Sequence, residues 1–208
     1  MSEPLKIVGL GGSLAKVSSS RAVLAIALEG AEEAGAEIEL LDLRELGLPM
    51  YNPDDDELTA ATARLVETMH GADGHLWSSP LYQGSVSGSF KNALDWLHVL
   101  GGWEPPHLTD KVIGLISAAG GTQGLQAINT MEFSVRAVRA WAVPFVVPVP
   151  TAARLFDDGG RLQNEAFERQ LKMLGSEVVR VAERFRVEES PDHEAECEKA
   201  RERVAAAA

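Results

Sequence analysis

Hydrophobic and polar positions follow two rhythms along the chain. Short apolar runs rich in β-branched residues fall at 6–10, 37–43, 74–79, 112–117 and 144–149, and a stretch with apolar residues three or four positions apart follows each one. Five strand-then-helix units in series predict an α/β fold, a parallel sheet with helices on both faces. Unbroken runs such as VIGLIS suit strands covered on both sides.

The helical stripes are Val23, Ala27 and Ala31 in the first helix, and Leu58, Leu65 and Met69 in the second. Phe90, Leu94 and Leu97 mark the third, Ile128, Met131, Val135 and Val138 the fourth, and Phe167, Leu171, Leu174, Val178 and Phe185 the fifth. Serines 18 to 20 can cap the first helix and Gly35 can end it; Ser87 can cap the third and Asn164 the fifth.

Composition narrows the function. The chain has 208 residues, 45% of them hydrophobic, enough for one domain with a substantial core. With 19 Lys and Arg against 31 Asp and Glu, its net charge of −12 repels phosphate backbones and anionic lipid, so no nucleic-acid or membrane partner is expected. Apolar runs stay well short of the roughly 20 residues that span a bilayer. The opening MSEPLKIVGL lacks the form of a signal peptide and Cys197 has no second cysteine to pair with, which predicts a cytoplasmic protein. The last segment, 188–208, holds seven acids against three bases and almost nothing apolar, and is expected to be a solvated, dispensable tail beyond a domain at 1–187.

The chemistry concentrates where strands end. The first strand runs into GLGGSLAKVSSSR, glycine-rich and then hydroxyl-rich, ahead of a helix whose first N–H groups suit an anion. A Walker A loop would need Ser or Thr after Lys16, where Val17 stands, and a dinucleotide fingerprint beginning at Gly9 would need a small residue at Leu14. What remains suits a phosphate monoester, or simply a serine-capped helix start. The third strand ends in SSPLYQGSVSGSFKNALDWL and the fourth in SAAGGTQG, whose glycines let a flat ring lie against the backbone. All three loops belong to the carboxyl edge of the sheet, where open α/β sheets bind ligands.

Lys91 and Asp95, one turn apart around Asn92, read better as a helix-fixing or subunit-contact pair than as catalytic groups. Tyr82 suits either a ring-stacking role or a subunit interface. Trp77, Trp96, Trp103 and Trp141 read as packing residues. The five histidines show no metal-binding spacing, and no G-x-S-x-G elbow exists for acyl transfer, so neither a metal nor a side-chain catalyst is expected.

In order and spacing, GGSLAKVSSS, PLYQGSVSGSFKNALDW and SAAGG resemble the NADPH-dependent FMN reductase family of flavodoxin-like proteins, over roughly the first 185 residues. The middle segment is the most specific, with Phe90 where the family has Leu. The resemblance implies a three-layer α/β/α fold with strand order 2-1-3-4-5, FMN as cofactor and NADPH or NADH as hydride donor. A flavin, quinone or similar small molecule would be the acceptor, and a homodimer or homotetramer the assembly. Ser13, Ser18 and Ser20 would hold the FMN phosphate. Pro80, Leu81, Tyr82, Gln83 and Gly84 would line the flavin, and Gly120 and Gly121, after Ser117, would lie at its pyrimidine end. Where the family often has Arg, this chain has Ala15, so the helix start, Lys16 or Arg21 must meet the phosphate charge. An FMN-binding electron carrier without nicotinamide turnover, or a phosphate-binding regulatory module, are the rival readings. The crowd of aromatic and apolar residues from Trp96 to Trp103 adds a second reason to expect an oligomer.

Overall fold

The computed structural model describes residues 3–188 apart from 12, 55–57 and 158; the acidic segment beyond Glu188, including Cys197, lies outside the described residues. Among these residues five parallel strands, β1 (Lys6–Gly11), β2 (Glu37–Asp42), β3 (Gly74–Pro80), β4 (Val112–Ala118) and β5 (Trp141–Val149), form one sheet in the order β2-β1-β3-β4-β5. The expected order is therefore the observed one. β3 and β4 are buried at every position, as strands must be that have neighbours on both sides and helices on both faces.

Among the described residues six α-helices flank the sheet: α1 (Ser19–Glu33), α2 (Leu43–Leu46), α3 (Ala60–His70), α4 (Gly88–Trp96), α5 (Leu125–Ala137) and α6 (Glu165–Glu188). One core layer gathers Leu10, Trp77, Phe90 and Leu115; the other gathers Ile7, Leu24, Leu76 and Leu174. Caps sit where the serines and asparagine suggest: Ser18 accepts from the Arg21 N–H, Ser87 from that of Phe90, and Asn164 from those of Ala166 and Phe167. Gly35, at φ 93°, closes α1 in the left-handed conformation.

On one face α1 and α6 approach closely enough that a methyl group on Gly30 would stand 2.2 Å from the Lys172 carbonyl, and one on Gly175 2.0 Å from that of Ala27. The end of α6 is tied to the base of the sheet by Arg186, which donates to Asp73 at 3.1 Å.

Several boundaries differ from the expectation. β5 starts at Trp141, before Pro144, because an edge strand tolerates proline; Ile113 pairs with Ala142 but Leu115 with Val146, and Pro144 sits in that irregularity. Leu43 belongs to a short helix, not to β2, since Asp42 accepts from the Arg44 N–H and Gly47, at φ 58°, closes the turn. Leu58 is 39% exposed and precedes α3, which Thr59 caps. Leu97 lies in the 3-10 turn after α4, and Val138 just past α5.

The aromatic crowd at 96–103 is mostly internal. Trp96 is buried, donates its Nε1–H to the Pro49 carbonyl at 2.9 Å and meets Tyr51 edge-on, while Trp103, 37% exposed, packs on His70. That stretch does not require a partner subunit. Among the described residues no helix is long and apolar enough to cross a membrane.

Candidate functional site

Parallel register brings the ends of β1, β3 and β4 together: Gly11 pairs with Ser78, and Ser79 and Pro80 with Ser117 and Ala118. The chain turns in opposite directions after β1 and β3, which makes this edge the switch point at which open α/β sheets bind ligands. The loops after β1, β3 and β4 meet there, as the strand order implies.

The first loop is built inward from its hydroxyls. Ser13, Ser18 and Ser20 are buried, while Leu14, Ala15, Lys16 and Val17 point outward. Ser13 Oγ accepts from the Ala15 N–H at 3.2 Å, and the Ser18 and Ser20 hydroxyls share a 3.0 Å hydrogen bond. The opening turn of α1 has N–H groups that no helical carbonyl can satisfy, which sets a positive partial charge beside these hydroxyls. Ser78 Oγ, at the end of β3, donates to the Ser20 carbonyl at 2.8 Å and fixes that turn to the sheet.

The second loop is a small hairpin. Tyr82 and Ser85 exchange backbone hydrogen bonds of 3.0 and 3.1 Å around Gln83 and Gly84, whose φ of 48° and 81° are those of a type I′ turn. Its base is clamped by Ser79, whose Oγ donates to the Pro80 carbonyl at 3.0 Å and accepts from the Ser87 N–H at 3.0 Å. Leu81 is half-buried at the foot of the turn, hydrogen-bonded to the Ala118 carbonyl, and Tyr82 stands 53% exposed at its rim.

The third loop is held from below. Buried Ser117 donates to the Gly124 carbonyl at 2.9 Å, and the Gly121 carbonyl accepts from the Thr151 N–H at 3.0 Å. Between these anchors Gly120 and Gly121 are exposed, and a Cβ on either would meet no atom of the chain within 4 Å. Neither has a positive φ. Glycine is thus required at 120 and 121 neither by the backbone nor by packing within the chain.

Charge is arranged differently from the expectation. Arg21 is engaged by the buried Asp42, Nη1 to Oδ2 at 2.9 Å, so its charge is already matched. Lys16 is exposed. A cation outside the expected set reaches the loop: Arg44, on α2, donates from Nη1 to the Leu14 carbonyl at 2.6 Å. Asp42 and Arg44 escape a linear reading because only the pairing of Gly11 with Asp42 brings them to the loop; the strand order, once drawn, is the signal that points to them.

The neighbouring α4 residues are structural. Lys91 and Asp95 form an exposed ion pair along the helix, and Asn92 holds the 49–51 segment by accepting from the Tyr51 N–H and donating to the Pro49 carbonyl. A cleft of about 640 Å³ lies at the opposite end of the sheet, near the start of β5, among Arg136, Arg139 and Trp141. No glycine turn or helix start opens onto it, and the Trp141 Nε1–H is already given to Asp110. Among the described residues no group of three or more His, Cys, Asp or Glu could hold a metal ion.

The buried hydroxyls, the helix start and the open Gly120–Gly121 turn fit a ligand with an anionic phosphate at one end and a flat ring at the other. The family described as NADPH-dependent FMN reductase matches residues 5–154. The chain is 33% identical over 165 residues to the NADPH-dependent FMN reductase ArsH of Acidithiobacillus ferrooxidans, covering 79% of this chain and 68% of that protein. It is 29% identical over 181 residues to a probable NADPH:quinone oxidoreductase of rice, covering 81% and 84%. The fold is similar to that of FerB, a flavoenzyme NAD(P)H:(acceptor) oxidoreductase from Paracoccus denitrificans, with a TM-score of 0.71 and 22% identity over 87% of this chain and 98% of that one.

Proposed function

The chain belongs to the NADPH-dependent FMN reductase family, and from that premise we propose that the three edge loops hold FMN in an enzyme that moves hydride from NAD(P)H to a small acceptor, a flavin or a quinone. It is an oxidoreductase with FMN and NAD(P)H as its cofactors. Ser13, Ser18 and Ser20, with the first N–H groups of α1, receive the phosphate; residues 80–84 and the Gly120–Gly121 turn receive the ring. The observation that carries this reading is the meeting of three strand ends at one sheet edge, which sets the buried serines and the start of α1 beside the exposed Gly120–Gly121 turn, where a flat ligand would meet no side chain at either glycine.

The chemistry that FMN supplies when bound is redox: it accepts hydride from the reduced nicotinamide and passes electrons on. The protein's share is placement. Ser78, Ser79 and Ser117 give their hydroxyls to the backbone of the three loops and so tie each to the sheet edge. The ionisable side chains of these loops and of the helix starts that follow them include Lys16, Arg21, Tyr82 and Lys91, and direct hydride transfer asks none of them to move a proton.

The exposed apolar residues Leu14, Val17, Met50 and Tyr82 support a homodimer or homotetramer, because together they border the same edge. Sedimentation at micromolar concentration should show at least a dimer. Residues 1–187 form the FMN-binding unit in this reading, and removal of the acidic segment after Val187 leaves flavin affinity unchanged. The lone Cys197 is in keeping with the cytoplasm.

The test is the absorbance of the purified protein with and without added FMN, followed by NADPH oxidation with a quinone as acceptor. Bound flavin with quinone-dependent turnover is expected. Flavin binding without NADPH oxidation would mark an electron carrier instead, and a protein that stays colourless with excess FMN would overturn the flavin assignment.

A further inference from the structure

The phosphate loop lies between two guanidinium groups whose surroundings differ. Arg21 is paired with Asp42, 6% exposed, so one positive charge meets one buried negative charge. The second oxygen of Asp42 accepts the backbone N–H of Arg44 at 2.9 Å and thereby begins α2. From there the Arg44 side chain reaches back across 30 residues of sequence and donates to the Leu14 carbonyl. It has no carboxylate partner among the described residues.

That contact has a geometric consequence. In a planar trans peptide the carbonyl oxygen and the following N–H point in opposite directions. By holding the Leu14 carbonyl toward α2, Arg44 turns the Ala15 N–H the other way, where it donates to the buried Ser13 Oγ. One side chain therefore fixes the inward direction of the loop and brings an unmatched positive charge into contact with its backbone.

Building on the FMN reading above, we propose that Arg44 is the positioning residue of the flavin phosphate site, setting the Leu14–Ala15 peptide so that Ser13 faces the anion and supplying charge that Arg21, matched by Asp42, does not. A phosphate monoester carries between one and two negative charges near neutral pH, so it responds to that charge, whereas the ring does not.

FMN and riboflavin differ only in the phosphate, and the full chain freed of flavin can be titrated with each. Arg44→Met, which keeps length and removes charge and donors, should weaken FMN binding about tenfold and leave riboflavin within twofold of the original protein. Arg44→Lys should restore most of the FMN affinity, and the gap between original and Met proteins should shrink as salt rises. Equal losses for both ligands, no loss for FMN, or a Lys variant no better than Met would each overturn the proposal. An original protein that binds FMN no more tightly than riboflavin would instead sink the phosphate reading itself, and this proposal with it.

Discussion

Gly175 and Gly120 stand in opposite surroundings. Gly175 sits mid-helix in the seam between α6 and α1, where an added methyl would lie 2.0 Å from the Ala27 carbonyl; Gly120 sits in the turn after β4, where it would touch nothing. Neither position uses the left-handed backbone that glycine alone tolerates well. The seam spends its glycines on packing within the chain, so a change there is felt by the fold. The turn spends its glycine on space outside the chain, so a change there is felt only by whatever occupies that space. Residue type alone does not tell a packed glycine from an open one; the surroundings of the missing methyl do.

The largest expected effect sharpens this contrast. Gly175→Ala forces two helix backbones apart and should cost about 3 kcal/mol or more, a drop in Tm of roughly 6–12 °C for a domain of this size. Thermal denaturation reads it directly, and an unchanged Tm would mean that the two helices are not so closely packed. Gly120→Val is the mirror experiment. With both proteins free of flavin, its Tm should stay near that of the original, since an exposed substitution with room around it costs within about 0.5 kcal/mol. FMN affinity should fall by about a hundredfold or more, roughly 2.7 kcal/mol.

A third variant separates core from edge by pH. His75, wholly buried in β3, has neither ring nitrogen hydrogen-bonded among the described residues, and burial, helped by Lys111, pulls its pKa from 6.5 to about 3. The unfolded chain takes up a proton below about pH 6.5 that the folded chain refuses until about pH 3. Stability from this group is therefore fully present above the upper value and is lost on acidification, by about 1.4 kcal/mol for each pH unit in between. His75→Leu should remove that slope in denaturant titrations at pH 7, 6 and 5 without touching FMN binding at pH 7. A slope that persists undiminished would place the acid sensitivity elsewhere.

Smaller effects probe the edge itself. Ser13→Glu sets a like charge beside the phosphate and should weaken FMN about tenfold, some 1.4 kcal/mol, with riboflavin far less affected. Tyr82→Phe should change the rate of flavin reduction by less than about tenfold, against the 10²-fold or more expected for loss of a general acid or base.

The same contrast explains what could be read in the chain before its structure was known. Strands β3 and β4 announce themselves because burial on both faces leaves an unbroken apolar run, and Ser18, Ser87 and Asn164 announce helix starts because a cap is a local hydrogen bond. The turns that form the edge were legible as glycine- and serine-rich strand ends. The α1–α6 seam was not, since Gly30 and Gly175 look like weak helix formers until two helices cross over them. Trp96 suggested a subunit contact because its partners, Pro49 and Tyr51, come from a distant segment. Asp42 and Arg44 were hidden for a related reason: β2 must lie beside β1 before either reaches the loop after β1 or the start of α1.

In the proposed function, three loops tied to the sheet edge make an FMN site by shape and charge, and hydride transfer follows from placement. Anaerobic stopped-flow mixing of NADPH with FMN-loaded protein tests it most directly when the original chain and Gly120→Val are run side by side. The original should bleach its flavin in a single NADPH-dependent phase, while folded Gly120→Val at the same FMN concentration should hold far less flavin to bleach. Flavin bound and reduced at the original rate in Gly120→Val would contradict the account, because the open turn would then not be where the ring lies.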